Sequence, residues 1–186
     1  MLRRSPKMSI LSKLFKRSRL RPAFYLCESM ATENDRIITN QIEMWADPPF
    51  WQELEPPKFT GVSPRSSAIA RLIGAAAPIA VISLLEPEIT DKLKNEVIRN
   101  YANWTASKIN FSEADAESLL NKLISLTVVN IVNPAEATSE LADIWISAII
   151  SSWVDEKYKP NIINMRQDQI IANLIYQNEH AIKELQ

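Results

Sequence analysis

The sequence predicts an all-α protein, a compact bundle of about five helices with a basic, poorly ordered N-terminal arm. Three observations lead there. Glycine occurs only at Gly61 and Gly74, and tight hairpins draw on glycine for positive-φ turns, so a multi-stranded β-architecture is disfavoured. From residue 66 onward, apolar residues recur at spacings of three and four. Pro87, Pro134 and Pro160 fall between those periodic stretches, where a helix starts or stops. A chain of 186 residues is one domain with extensions, long enough to bury a core. Cys27 is the only cysteine, which excludes an intrachain disulfide scaffold.

The arm comes first, over residues 1–27. It carries Arg3, Arg4, Lys7, Lys13, Lys16, Arg17, Arg19 and Arg21, and no acid precedes Glu28. The rest of the chain holds 13 cations and 22 acids, so a net charge of −1 conceals a basic arm on an acidic body. On a helix over residues 9–19, Ile10, Leu11, Leu14 and Phe15 share an apolar arc, with Lys13, Lys16 and Arg19 opposite and Arg17 at the boundary. Such a helix suits an anionic membrane interface, where Lys13, Lys16, Arg17, Arg19 and Arg21 would meet the charge and the apolar four would face the lipid. The same features match a transit peptide, and equally an arm that folds onto the acidic body. No apolar run follows that is long enough for a secretory signal.

Residues 28–65 read as a connecting segment. A short helix is expected there, capped by Thr32 or Asn34, with Ile38, Ile42 and Trp45 on one face. Two proline pairs, 48–49 and 56–57, then bracket Phe50, Trp51 and Leu54 on a turn between extended pieces. Those three side chains either dock a partner or cover one end of the protein's own core.

The helical domain is expected over residues 66–186. Its first element contains a 14-residue run at 72–85 that is apolar except for Ser83. Roughly 20 are needed to cross a bilayer, so a buried core helix is expected, with a single membrane span as the alternative. Next, Ile89, Leu93, Val97, Tyr101 and Trp104 align on one face of a helix that begins near Pro87. The "SEAD" at 112–115 resembles a capping box with Asp115 in the usual Glu position, opening a helix that includes the β-branched 126–132. "NPAE" at 133–136 reads as another helix start, with Asn133 as N-cap. The segment that follows is apolar over about two-thirds of its circumference, which predicts the central helix. In the last helix, 161–185, Gln167 and Asn178 sit inside the apolar arc and call for buried amide partners or a border position.

Few residues suggest chemistry. His180 projects away from the apolar face and reads as solvated. The Glu136, Glu140 and Asp143 stripe offers hard-cation ligands, but a solvated polar face explains it as well. Glu113, Asp115 and Glu117 form the acidic start of a helix. Two isolated glycines cannot build a phosphate-cradling loop, and no cofactor is expected. The acidic body shows no cationic helix to enter a groove, which argues against nucleic acid as a partner.

The expected function is therefore a non-catalytic helical protein-interaction module that binds a protein partner and, through its arm, an anionic membrane surface. The expected location is cytoplasmic and membrane-peripheral, or within an organelle if the arm is a transit peptide. Alternatives are a nucleic-acid-binding accessory protein that uses the arm, a single-span membrane protein, and a metal-dependent protein that uses the carboxylate stripe.

Overall fold

The computed structural model describes residues 18–45, 62–105, 112–150 and 159–186. Within them are six α-helices and no strand: α1 Leu20–Trp45, α2 Pro64–Leu85, α3 Thr90–Thr105, α4 Glu113–Val132, α5 Thr138–Ile150 and α6 Lys159–Leu185. A single 3₁₀ turn, Pro87–Ile89, joins α2 to α3. The all-α expectation holds, with one helix more than expected.

The additional helix is α1, whose second half answers to the short helix expected in the connecting segment, with Ile38 and Ile42 buried. It starts inside the expected arm and runs through much of the expected connecting segment, so residues 20–27 belong to the folded body. Its buried stripe is Ala23, Cys27, Met30, Ala31, Asn34, Ile38, Gln41 and Ile42, a spacing of three and four that continues over more than five turns. The stripe is inconspicuous in the sequence because small residues and amides fill half of it. Asn34, expected as a cap, lies in the middle of this helix and is buried.

α2 is the central helix, displacing the expectation that residues 133–153 would take that place. It packs against all five other helices, and fifteen of its 22 residues are buried. Ser63 caps its start, accepting a hydrogen bond from the Ser66 N–H at 3.1 Å, and Pro64 occupies the first turn. α2 is long and apolar enough to cross a membrane, and 78% of its most apolar window is buried within the fold. Its alanine-rich surface lets neighbouring backbones come close. At Gly74 an added Cβ would lie 2.6 Å from the Met30 carbonyl carbon and 2.9 Å from the Ala31 nitrogen. α1 and α2 are therefore in backbone contact, running antiparallel with Cys27 opposite Ala75 and Asp35 opposite Arg71. α5 is peripheral by comparison, because Ser139, Glu140, Asp143 and Ser147 keep one side of it in solvent.

α3 buries Leu93, Val97 and Tyr101 as the periodicity predicts and Ile98 in addition, while Ile89 is partly buried in the 3₁₀ turn before it. α4 opens on the capping box: Ser112 accepts from the Asp115 N–H at 3.1 Å, and the Asp115 carboxylate accepts from the Ser112 N–H at 3.3 Å. Its β-branched end stays helical to Val132, with Thr127 and Asn130 facing inward.

The start of α5 differs from expectation. Asn133 ends α4, its N–H bonded to the Val129 carbonyl, and α5 begins only at Thr138. The buried amide of Asn130 explains the delay. Its Nδ2 donates toward the carbonyls of Pro134 (3.3 Å) and Glu136 (2.8 Å) and the hydroxyl of Thr138 (3.1 Å), holding 134–137 as a turn. Ala137 completes that turn at φ 58°, a conformation that interrupts a right-handed helix.

Candidate functional site

Two places in the fold gather polar or exposed groups in a way the core does not require. The first is the end of the bundle where α1 begins and where α2 and α6 finish. Arg19, just before α1, donates from Nε to the Leu185 carbonyl at 2.8 Å. Its guanidinium also pairs with Glu86 at 3.6 Å, and its backbone N–H donates to the same carboxylate at 3.3 Å. Glu86 is buried at the end of α2, and a buried carboxylate needs such partners. Arg19 thus ties three helix ends together. Immediately before Glu86, Leu84 and Leu85 are 47% and 37% exposed. Arg21 is exposed on the first turn of α1. Glu88 and Glu184 are exposed near the same end, so the folded part of this end carries both signs of charge.

The second place is a cleft of about 640 Å³ between α1 and α6. Its floor is a reciprocal amide pair: Asn34 Nδ2 donates to Gln177 Oε1 at 3.1 Å, and Gln177 Nε2 donates to Asn34 Oδ1 at 2.7 Å. Tyr176 and His180 form one wall, their rings parallel within 4° and 6.2 Å apart. On the α1 side stands Glu28, half-buried, which accepts a hydrogen bond from Asn100 of α3. Glu33 stands at the rim with both carboxylate oxygens on Arg36. Those hydrogen bonds, more than the charge of Arg36, hold the Glu33 carboxyl below its ordinary range.

Of the residues singled out by sequence, Arg19 and Arg21 fall within the described structure. Arg19, expected to meet an anionic surface, is engaged with Glu86 and Leu185. Ile10, Leu11, Lys13, Leu14, Phe15, Lys16 and Arg17 lie outside the described residues, as do Phe50, Trp51 and Leu54. Cys27 is fully buried, its thiol donating to the Ala75 carbonyl at 3.5 Å. Burial, reinforced by neighbouring Glu28, pushes that thiol well above its ordinary range, away from nucleophilic chemistry. Glu136, Glu140 and Asp143 are exposed. Among the described residues no group of three or more His, Cys, Asp or Glu side chains is placed to hold a metal ion.

The amides were the residues hardest to see in the sequence. Asn178 does find a buried partner, donating to Asn130 Oδ1 at 2.9 Å, whereas Gln167 is only partly buried. Asn34, Gln41, Asn130 and Gln177 form the rest of this set, with Gln41 Oε1 accepting from the Trp145 indole at 2.7 Å. The signal that marks them is position: Asn34 and Gln41 are seven apart on the stripe of α1, and Gln177 stands between Leu174 and Ala181 on α6.

No protein-family model matches this chain, and neither a curated protein nor a solved structure matches it.

Proposed function

We propose that this protein is a non-catalytic helical interaction module that binds a protein partner and sits peripherally on the cytoplasmic side of an anionic membrane through its N-terminal arm. The observation that carries this reading is the Arg19 clamp. It roots the basic arm at the one end of the bundle where Leu84 and Leu85 are exposed. Residues 1–17 hold Arg3, Arg4, Lys7, Lys13, Lys16 and Arg17 and no acid. Each cation near an anionic leaflet contributes about 1 kcal/mol, and two exposed leucines beside the root add apolar contact with the interface. With Arg19 engaged internally and Glu88 and Glu184 close by, the attraction has to come from the arm rather than from the body. Binding of this kind weakens with salt, because exposed charges are screened beyond about 10 Å at 0.1 M.

Co-sedimentation with vesicles tests it. Full-length chain is expected to pellet with phosphatidylcholine vesicles that contain phosphatidylserine at low salt, and to be released at high salt. A chain lacking residues 1–17 is expected to stay in the supernatant. If the full-length chain ignores phosphatidylserine at low salt, the membrane part of the proposal is wrong.

A further inference from the structure

We infer that the α1/α6 cleft is a binding site for a small organic cation, an alkyl ammonium or guanidinium compound, with Glu28 as its counter-charge. The inference is independent of the membrane reading. It starts from charge. Glu28 is half-buried at the cleft, and among the described residues its one hydrogen-bond partner is the neutral amide of Asn100. No Lys or Arg is among the described residues lining the cleft, and Arg36 beside its rim is held by both oxygens of Glu33. Arg71, which shares a neighbouring cavity with Glu28, pairs with Asp35 at 3.4 Å. A carboxylate partly withdrawn from water and facing a neutral donor gains from a cation that enters beside it.

The opposite wall suits the same ligand. Tyr176 is 65% exposed although it lines the cleft, and its ring continues parallel to that of His180. Cations are attracted to the face of a tyrosine ring within about 6 Å of its centre. The floor is closed by a self-paired couple of amides. Asn34 and Gln177 are both more than nine-tenths buried, and each uses one of its two amide hydrogens in the reciprocal pair. Their reciprocal pairing leaves almost no amide surface open to the cleft, so recognition falls to Glu28 and the Tyr176 ring. The volume of about 640 Å³ falls in the range of small-molecule sites. An anion would be repelled by Glu28, and a neutral hydrocarbon would leave the carboxylate unanswered.

The test is isothermal titration of the full-length chain with agmatine, spermidine and choline, with neutral butylurea as the comparison. At least one of the three cations is expected to bind saturably at one site, and butylurea is not. Glu28→Gln is expected to weaken that binding by about tenfold or more. Tyr176→Ala removes an exposed ring that carries little of the fold, and is expected to weaken binding about twofold to fivefold, the size of an exposed cation–π contact. Amide NMR shifts on titration should concentrate at residues 28–37 and 173–180. The inference is overturned if none of the cations binds saturably at millimolar concentration, or if butylurea binds as well as they do. It is equally overturned if neither Glu28→Gln nor Tyr176→Ala changes the affinity, or if only arginine-containing peptides bind and the free cations do not.

Discussion

Gly74→Ala separates two physical effects of opposite sign. In an isolated helix, alanine is favoured over glycine by about 1 kcal/mol, so propensity alone predicts a more stable protein. The structure predicts the reverse. The new methyl would stand 2.6 Å from the Met30 carbonyl carbon and 2.9 Å from the Ala31 nitrogen, and closer still to the Met30 carbonyl oxygen. Ordinary carbon contacts begin near 3.5 Å, so α1 and α2 would have to separate by an appreciable fraction of an ångström. No rotamer change relieves the clash, because the atoms opposed to the methyl are backbone. Overpacking of this kind costs about 1–3 kcal/mol and occasionally more. Separation also loosens the contacts of Cys27, Met30 and Ala31 along the same seam. A net loss of about 2 kcal/mol is expected, lowering the melting temperature by about 4–8 °C for a chain of this size. Urea unfolding followed by circular dichroism measures it, with Ser118→Ala on the exposed side of α4 as a control for helix propensity. A Gly74→Ala protein as stable as the parent, or more stable, would refute the close packing of α1 on α2.

Three further predictions follow from named contacts. Asn130→Ala removes the donor that holds the 134–137 turn and orphans the Asn178 amide; a loss of about 2–3 kcal/mol is expected, and a double-mutant cycle with Asn178→Ala should be clearly non-additive. Hydrogen bonds from Ser112 depress the Asp115 carboxyl, so the capping box stabilises fully above the ordinary aspartate pKa of about 4 and its contribution is lost as pH falls through the lower folded value. The pH dependence of the melting temperature in this acid range should therefore be shallower in Asp115→Asn than in the parent, and identical slopes would contradict the capping role. Buried Cys27 should react with a thiol reagent only as fast as the body opens, so labelling faster than amide exchange in α1 and α2 would contradict its placement.

Composition and periodicity by themselves determined the fold class, the capping box at Ser112, the buried face of α3 and the charge split between arm and body. These are local properties: a glycine-poor chain with apolar residues every three to four positions has helices as its one economical way to bury them. For residues 66–85 they led to a buried core helix with a membrane span as the alternative, and burial of most of α2 within the fold agrees with the first. What the local pattern could not rank was which helix would be central. α5 carries larger apolar side chains, yet α2 is central because alanines and Gly74 let five neighbours approach its backbone, and close approach is a property of pairs of helices. The same reason hid the first half of α1. Its stripe of Ala, Cys, Asn and Gln is weakly hydrophobic and becomes a core face only when Gly74 meets Met30 and when Gln177 and Trp145 meet the amides of Asn34 and Gln41. Asn133 read as an N-cap because the sequence around it permits one; Asn130, reaching the carbonyls of Pro134 and Glu136, moved the helix start to Thr138. The cleft beside Glu28 belongs wholly to tertiary structure, since its walls come from residues about 145 positions apart whose meeting no local periodicity encodes.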